Sequence, residues 1–122
     1  MNHLADVTFS TLQGVTVADI TGEVDMSNAH RLQRIVLNHV EDRHAGLVVD
    51  LTHTTYIDSS GIRILYEISQ RLDQRGQALG VALPATSPIR RMLAITKLDT
   101  LIDVADTAVE AAAGLTSPPQ VD

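Results

Sequence analysis

Residues 47–65 read LVVDLTHTTYIDSSGIRIL. The stretch opens inside a short continuous apolar run, GLVVDL at Gly46–Leu51, of the length and composition of a strand buried on both faces in the interior of a sheet. It ends in the start of a helix, SSGIRILYEISQRLDQRG, where Ile62, Leu65, Ile68, Ser69 and Leu72 fall near one face and Gly76 stands where a terminating glycine would. Between the two lies the polar connection THTTYID. A buried strand that feeds a helix is the repeating unit of an α/β layer fold. Two hydroxyls, Ser59 and Ser60, sit at the joint between Asp58 and Gly61.

Working toward the N-terminus, VTFSTL and VTVADIT flank Gln13-Gly14, and the alternation with β-branched neighbours predicts a hairpin. After Gly22, EVDMSN reads as a polar loop. Ala29, Leu32, Ile35, Val36 and Val40 then recur at helical steps, with Ser27 or Asn28 as N-cap. Toward the C-terminus, Ala78–Leu83 predicts a strand ended by Pro84, and Ser87-Pro88 opens a short helix with a capping hydroxyl and a proline in its first position. LIDVA predicts a last strand and DTAVEAAAG a last helix closed by Gly114. The expectation is therefore a single α/β domain over residues 1–114, with a mixed sheet, an N-terminal hairpin and about four packed helices, followed by a flexible tail over 115–122.

Composition limits what such a domain can do. A chain of 122 residues with 44% apolar content supports one core. No cysteine is present, which excludes disulfides and thiol redox chemistry. The net charge of −6, the lack of a basic cluster and an aromatic set of only Phe9, Tyr56 and Tyr66 argue against direct nucleic-acid binding. Neither a leader pattern nor a run of about 20 apolar residues is visible, so the expectation is a cytoplasmic protein with no membrane partner.

The serines invite a catalytic reading, which the pattern does not support. A serine nucleophile needs a base within reach and a group orienting that base. His53 and Asp58 are near in sequence only, and G-x-S-x-G is absent. A phosphate-binding loop is excluded as well, because Lys97 is the sole lysine and the glycine pattern is missing. His30, His39, His44 and His53 form no H-x-x-x-H pair, so neither a metal nor another cofactor is expected. Taken by itself, DSSG reads as a helix cap, with Asp58 or Ser59 accepting from the first turn and Gly61 permitting close packing.

The order of pieces adds more. TGEVD after a hairpin, then a helix, then LVVDLTHTTYIDSSGIRIL, the strand GVAL and finally SPIRRMLAITKLDTLIDV resembles the STAS-domain anti-sigma factor antagonists, from about Val7 to Ala113. The most specific piece is the strand ending in Asp50-Leu51 followed seven residues later by Asp58-Ser59-Ser60-Gly61. The resemblance implies a binding module without catalysis of its own. Its partner would be an anti-sigma factor that is also a serine kinase, bound when the antagonist is unphosphorylated so that a sigma factor is released to activate transcription. It further implies that Ser59 is the phosphate acceptor and that a PP2C-type phosphatase restores the active form. Glu23, Asp25, Asp58, Ser60, Gly61 and Arg63 are then the residues at the partner-facing end.

Arg63 departs from the family pattern, in which a small residue stands two places after the glycine. It follows Ser59 by one helical turn and so shares its face, where it can meet an acidic group of a partner or a phosphate within the chain. Two rivals accompany this reading: a STAS scaffold or regulatory subunit of another signalling or transport complex, and a small hydrolase using Ser59 or Ser60 with His53.

Overall fold

The structure, a computed structural model, describes residues 5–116. The chain runs β1 (Ala5–Leu12), β2 (Val15–Val24), α1 (Ala29–His39), β3 (Gly46–Asp50), β4 (Thr54–Ile57), α2 (Ser59–Gln74), β5 (Ala78–Ala82), α3 (Pro88–Ile95), a 3₁₀ turn at Leu98–Thr100, β6 (Asp103–Ala105) and α4 (Ala108–Thr116). The sheet has the order β1-β2-β3-β5-β6, with β4 paired to β2 off this path. Among the described residues only the β1–β2 hairpin is antiparallel, and the remaining pairings are parallel, as a mixed sheet built from a hairpin and crossovers requires.

β3 is the interior strand that its composition indicates. Leu47, Val48 and Val49 are all essentially inaccessible to solvent, and alternation sends them to two separate cores. Leu47 and Val49 join the larger core, where the apolar stripes of α1, α2 and α3 pack through Leu32, Val36, Leu65, Ile68, Leu72, Ile89 and Leu93. Val48 joins the smaller core on the opposite face, formed with Val15, Val17, Ala82 and the alanines of α4. Each large side chain buried in this way contributes about 1.5–3 kcal/mol relative to remaining exposed. Helices cover both faces, which is why the parallel strands carry no polar alternation.

Two helix ends follow their sequence signals. Ser87 caps α3 by accepting from the Ile89 N–H at 3.2 Å, with Pro88 in the first turn. Gly76, at φ +73°, closes α2: the Gly76 N–H donates to Asp73 O and the Gln77 N–H to Leu72 O, the paired bonds of a left-handed glycine stop.

Several expectations need correction. The connection THTTYID contains a strand, β4, whose Thr54, Tyr56 and Ile57 pair with Gly22, Glu23 and Val24 of β2. β2 therefore continues through Glu23, which lies in a strand and not in the loop; its partner changes from β3 to β4 between Asp19 and Gly22, and the β2–β4 ladder then shifts register between Gly22 and Glu23. The Thr54 hydroxyl donates to Ile20 O at 2.7 Å and fills the gap that this change leaves in the ladder. On α2 the buried face includes Ile64, while Ile62 and Ser69 are only half-buried. Gly114 does not close α4, which continues to Thr116, so the proposed tail begins inside a helix; its remainder, 117–122, lies outside the described residues.

Candidate functional site

β2 and β4 run parallel and finish side by side at Val24 and Ile57, where the Asp58 N–H donates to Val24 O at 3.2 Å. Each strand then releases a short loop into a helix, β2 into α1 and β4 into α2. The carboxyl ends of two parallel strands thus bring residues 25–30 and 58–63 together. This is the place where open α/β sheets present their functional residues.

At the start of α2 the cap is Asp58. Its backbone is extended (φ −105°, ψ −171°), and its carboxylate accepts from the N–H groups of Ser60 at 2.8 Å and Gly61 at 3.2 Å. The Asp58 carbonyl accepts from Ile62 N–H at 3.1 Å. With Asp58 in that role, Ser59 is the first helical residue. It is exposed, and its hydroxyl makes no hydrogen bond among the described residues, whereas Ser60 beside it is half-buried. Gly61 is set by contact: a Cβ there would lie 2.8 Å from Ile57 Cδ1 and 3.1 Å from Val24 Cγ1, closer still to Ile57 Cγ1, so a larger residue would force α2 away from the strands that deliver it.

The loop before α1 is tied by Asp25 and Asn28. The Asp25 carboxylate accepts from the N–H and hydroxyl of Ser27, and its carbonyl accepts from the N–H groups of Asn28 and Ala29. Asn28 occupies the N-cap position, yet its side chain bonds backward instead of into the helix. It accepts from Asp25 N–H at 3.0 Å and donates to Glu23 O at 2.9 Å, buried to 5% exposure. Asp25 is therefore part of the loop's scaffold.

Between the two loops, α1 and α2 leave a groove of about 380 Å³ lined by Met26, Ala29, His30, Ser59, Ser60, Arg63 and Ile64. Of the residues singled out from sequence, Ser59, Ser60 and Arg63 meet here, with Asp58 and Gly61 fixing the helix start beneath them. Glu23 does not line the groove. It is an exposed neighbour of Tyr56, and strand alternation puts it on the face opposite Val24, away from α1 and α2. Met26 and His30 were missed. Met26, 79% exposed and the lone apolar side chain of its loop, was the legible clue. His30 gave no signal of its own, because its place opposite Ser59 depends on how the two helices pack.

His53 is the opposite case. It precedes β4, whereas Ser59 follows its far end, so the four-residue strand separates them by roughly 13 Å. Its Nδ1 faces Asp19 Oδ1 at 3.6 Å. The serine–histidine pair required by the hydrolase reading is not assembled.

The STAS domain family matches residues 6–111. The anti-sigma-F factor antagonist RsfB of Mycobacterium tuberculosis is 29% identical over 110 residues, covering 89% of this chain and 88% of RsfB. A crystal structure of an anti-sigma factor antagonist from Mycobacterium paratuberculosis superposes with a TM-score of 0.81 at 26% identity, over 93% of this chain and 95% of that one. SpoIIAA, an anti-sigma factor antagonist of Bacillus whose structure is known unphosphorylated and phosphorylated, shares the fold at 15% identity with a TM-score of 0.69 for the unphosphorylated form, over 94% of this chain and 100% of that one.

Proposed function

This chain belongs to the STAS-domain family, and we propose that within it the protein is a phosphorylation-controlled anti-sigma factor antagonist, with Ser59 as its phosphate acceptor. In this account the unphosphorylated protein binds an anti-sigma factor with serine kinase activity through the end of the domain that carries Asp25, Asp58, Ser60, Gly61 and Arg63, in the cytoplasm, and so releases a sigma factor. A PP2C-type phosphatase returns the phosphorylated protein to the pool. The relatives are named anti-sigma factor antagonists, which supports a regulatory chain with no catalysis of its own.

The observation that carries the reading is the division of labour between Asp58 and Ser59. Had Ser59 been the cap, its oxygen would be committed to backbone N–H groups and transfer would unravel the helix start. Because Asp58 takes those donors, the Ser59 hydroxyl is exposed and unengaged in a groove that a partner can enter. Phosphate there adds about −1.5 to −2 charges at pH 7 beside the Asp58 carboxylate. A partner surface fitted to the neutral hydroxyl would then meet both like-charge repulsion and the cost of desolvating the phosphate. A penalty of about 3 kcal/mol weakens binding more than a hundredfold.

Co-purification from the native cell tests this directly, with mass spectrometry of the captured partners and of the phosphopeptide containing residues 58–63. The expected result is an anti-sigma kinase among the partners and phosphate on Ser59. Phosphate on Ser60 and none on Ser59, or no such partner, would contradict it.

A further inference from the structure

A phosphate on Ser59 has fewer helix donors available than its position suggests. Asp58 already occupies the N–H groups of Ser60 and Gly61 with its carboxylate and that of Ile62 with its carbonyl, and the carboxylate itself repels a second anion. The compensating charge lies on the other side, across the groove. Arg63, four residues after Ser59 on the same helix, has its Cβ about 5–6 Å from that of Ser59. His30 enters the groove from α1. Both are exposed, and neither makes a hydrogen bond or ion pair among the described residues. Arg63 presents the planar donor fork suited to phosphate oxygens.

We propose that the α1–α2 groove is an intramolecular phosphate clamp, in which Arg63 and protonated His30 hold the phosphate of Ser59 against the protein's own surface. The clamp rests on Ser59 as acceptor and adds how the modified state is held. It also removes Arg63 and the groove mouth from any partner, so phosphorylation both adds a charge and consumes a cation. The clamp depends on pH through the phosphate and His30. His30 sits in the first turn of α1. The charged groups lining the grooves beside it are Arg34 on its own helix and Arg63, Glu67 and Arg71 on α2, and Asp58 caps the start of α2.

The test is phosphorus NMR on the full chain carrying genetically encoded phosphoserine at position 59, titrated with pH, together with Arg63→Gln and His30→Gln versions of it. An opposing charge at this range lowers an acid's midpoint by about one unit. The expected result is a phosphate midpoint that rises by about that amount in Arg63→Gln and by less in His30→Gln, and a His30 imidazole midpoint that is higher with the phosphate than without it. A phosphate midpoint unmoved by Arg63→Gln overturns the clamp, and a His30 midpoint indifferent to the phosphate overturns the part assigned to His30. Because the phosphoserine is encoded, the outcome does not depend on a kinase: a clamped phosphate in a protein that binds no anti-sigma factor would refute the proposed function alone.

Discussion

Asp58 and Ser59 are adjacent and of similar size, yet the structure gives them separable tasks. Asp58 satisfies two backbone donors at the start of α2, and Ser59 satisfies none. Asp58→Ala should therefore destabilise the fold by about 1–2 kcal/mol, the range for loss of a good N-cap. Ser59→Ala should change stability by no more than about 0.5 kcal/mol, as for an exposed side chain without a partner. Urea unfolding of the two variants beside the parent measures both. Equal losses would mean that Ser59 shares the cap, and the hydroxyl would then not be available as described. Sequence alone left the cap undecided between these two residues, because either oxygen can reach the first turn; only the extended backbone at Asp58 and its two distances decide it.

At the scale of elements, what was legible depended on how far apart the interacting residues lie. Strand β3, the cap and proline of α3 and the glycine stop of α2 are local patterns, and they appear where the sequence puts them. β4 was hidden because four residues, two of them threonine, resemble a loop, although Thr-Thr-Tyr-Ile is rich in strand formers and in that sense could have been recognised. Glu23 was misplaced for the same reason: with no β4 to pair with, β2 had no cause to continue past Gly22. The closure of the far end of the sheet was illegible in principle. Gln77 donates through Nε2 to the carbonyls of Glu41 and His44, each at 3.0 Å, tying the loop after α1 to the start of β5 across more than thirty residues. Gln77 is 7% exposed, and Glu41 O keeps its bond from His44 N–H, so Gln77→Ala should cost about 1–3 kcal/mol, the penalty for leaving the buried His44 carbonyl unpaired. Thermal unfolding would check this, and an unchanged midpoint would show that the loop finds other partners.

Across the whole molecule, a sheet covered on both faces delivers two helix starts to one end and leaves a groove between them. The cores lie beneath this arrangement, and the groove residues lie above it: Ser59, Arg63, His30 and Met26 are all exposed. A phosphate on Ser59, as proposed, would therefore act on surface charge and on the groove, with no packed element obliged to move. Most of the candidate site was readable because Asp58, Ser59, Gly61 and Arg63 belong to one contiguous segment. The α1 side was not, because His30 and Met26 join it only through the packing of α1 against α2. If phosphate on Ser59 governs partner binding from this surface, calorimetric titration of the co-purified anti-sigma factor into the unmodified and the phosphoserine-59 protein will separate the two forms. The affinity expected for the phosphorylated protein is at least tenfold weaker, about 1.4 kcal/mol, and equal affinities for the two forms would overturn phosphate control at Ser59.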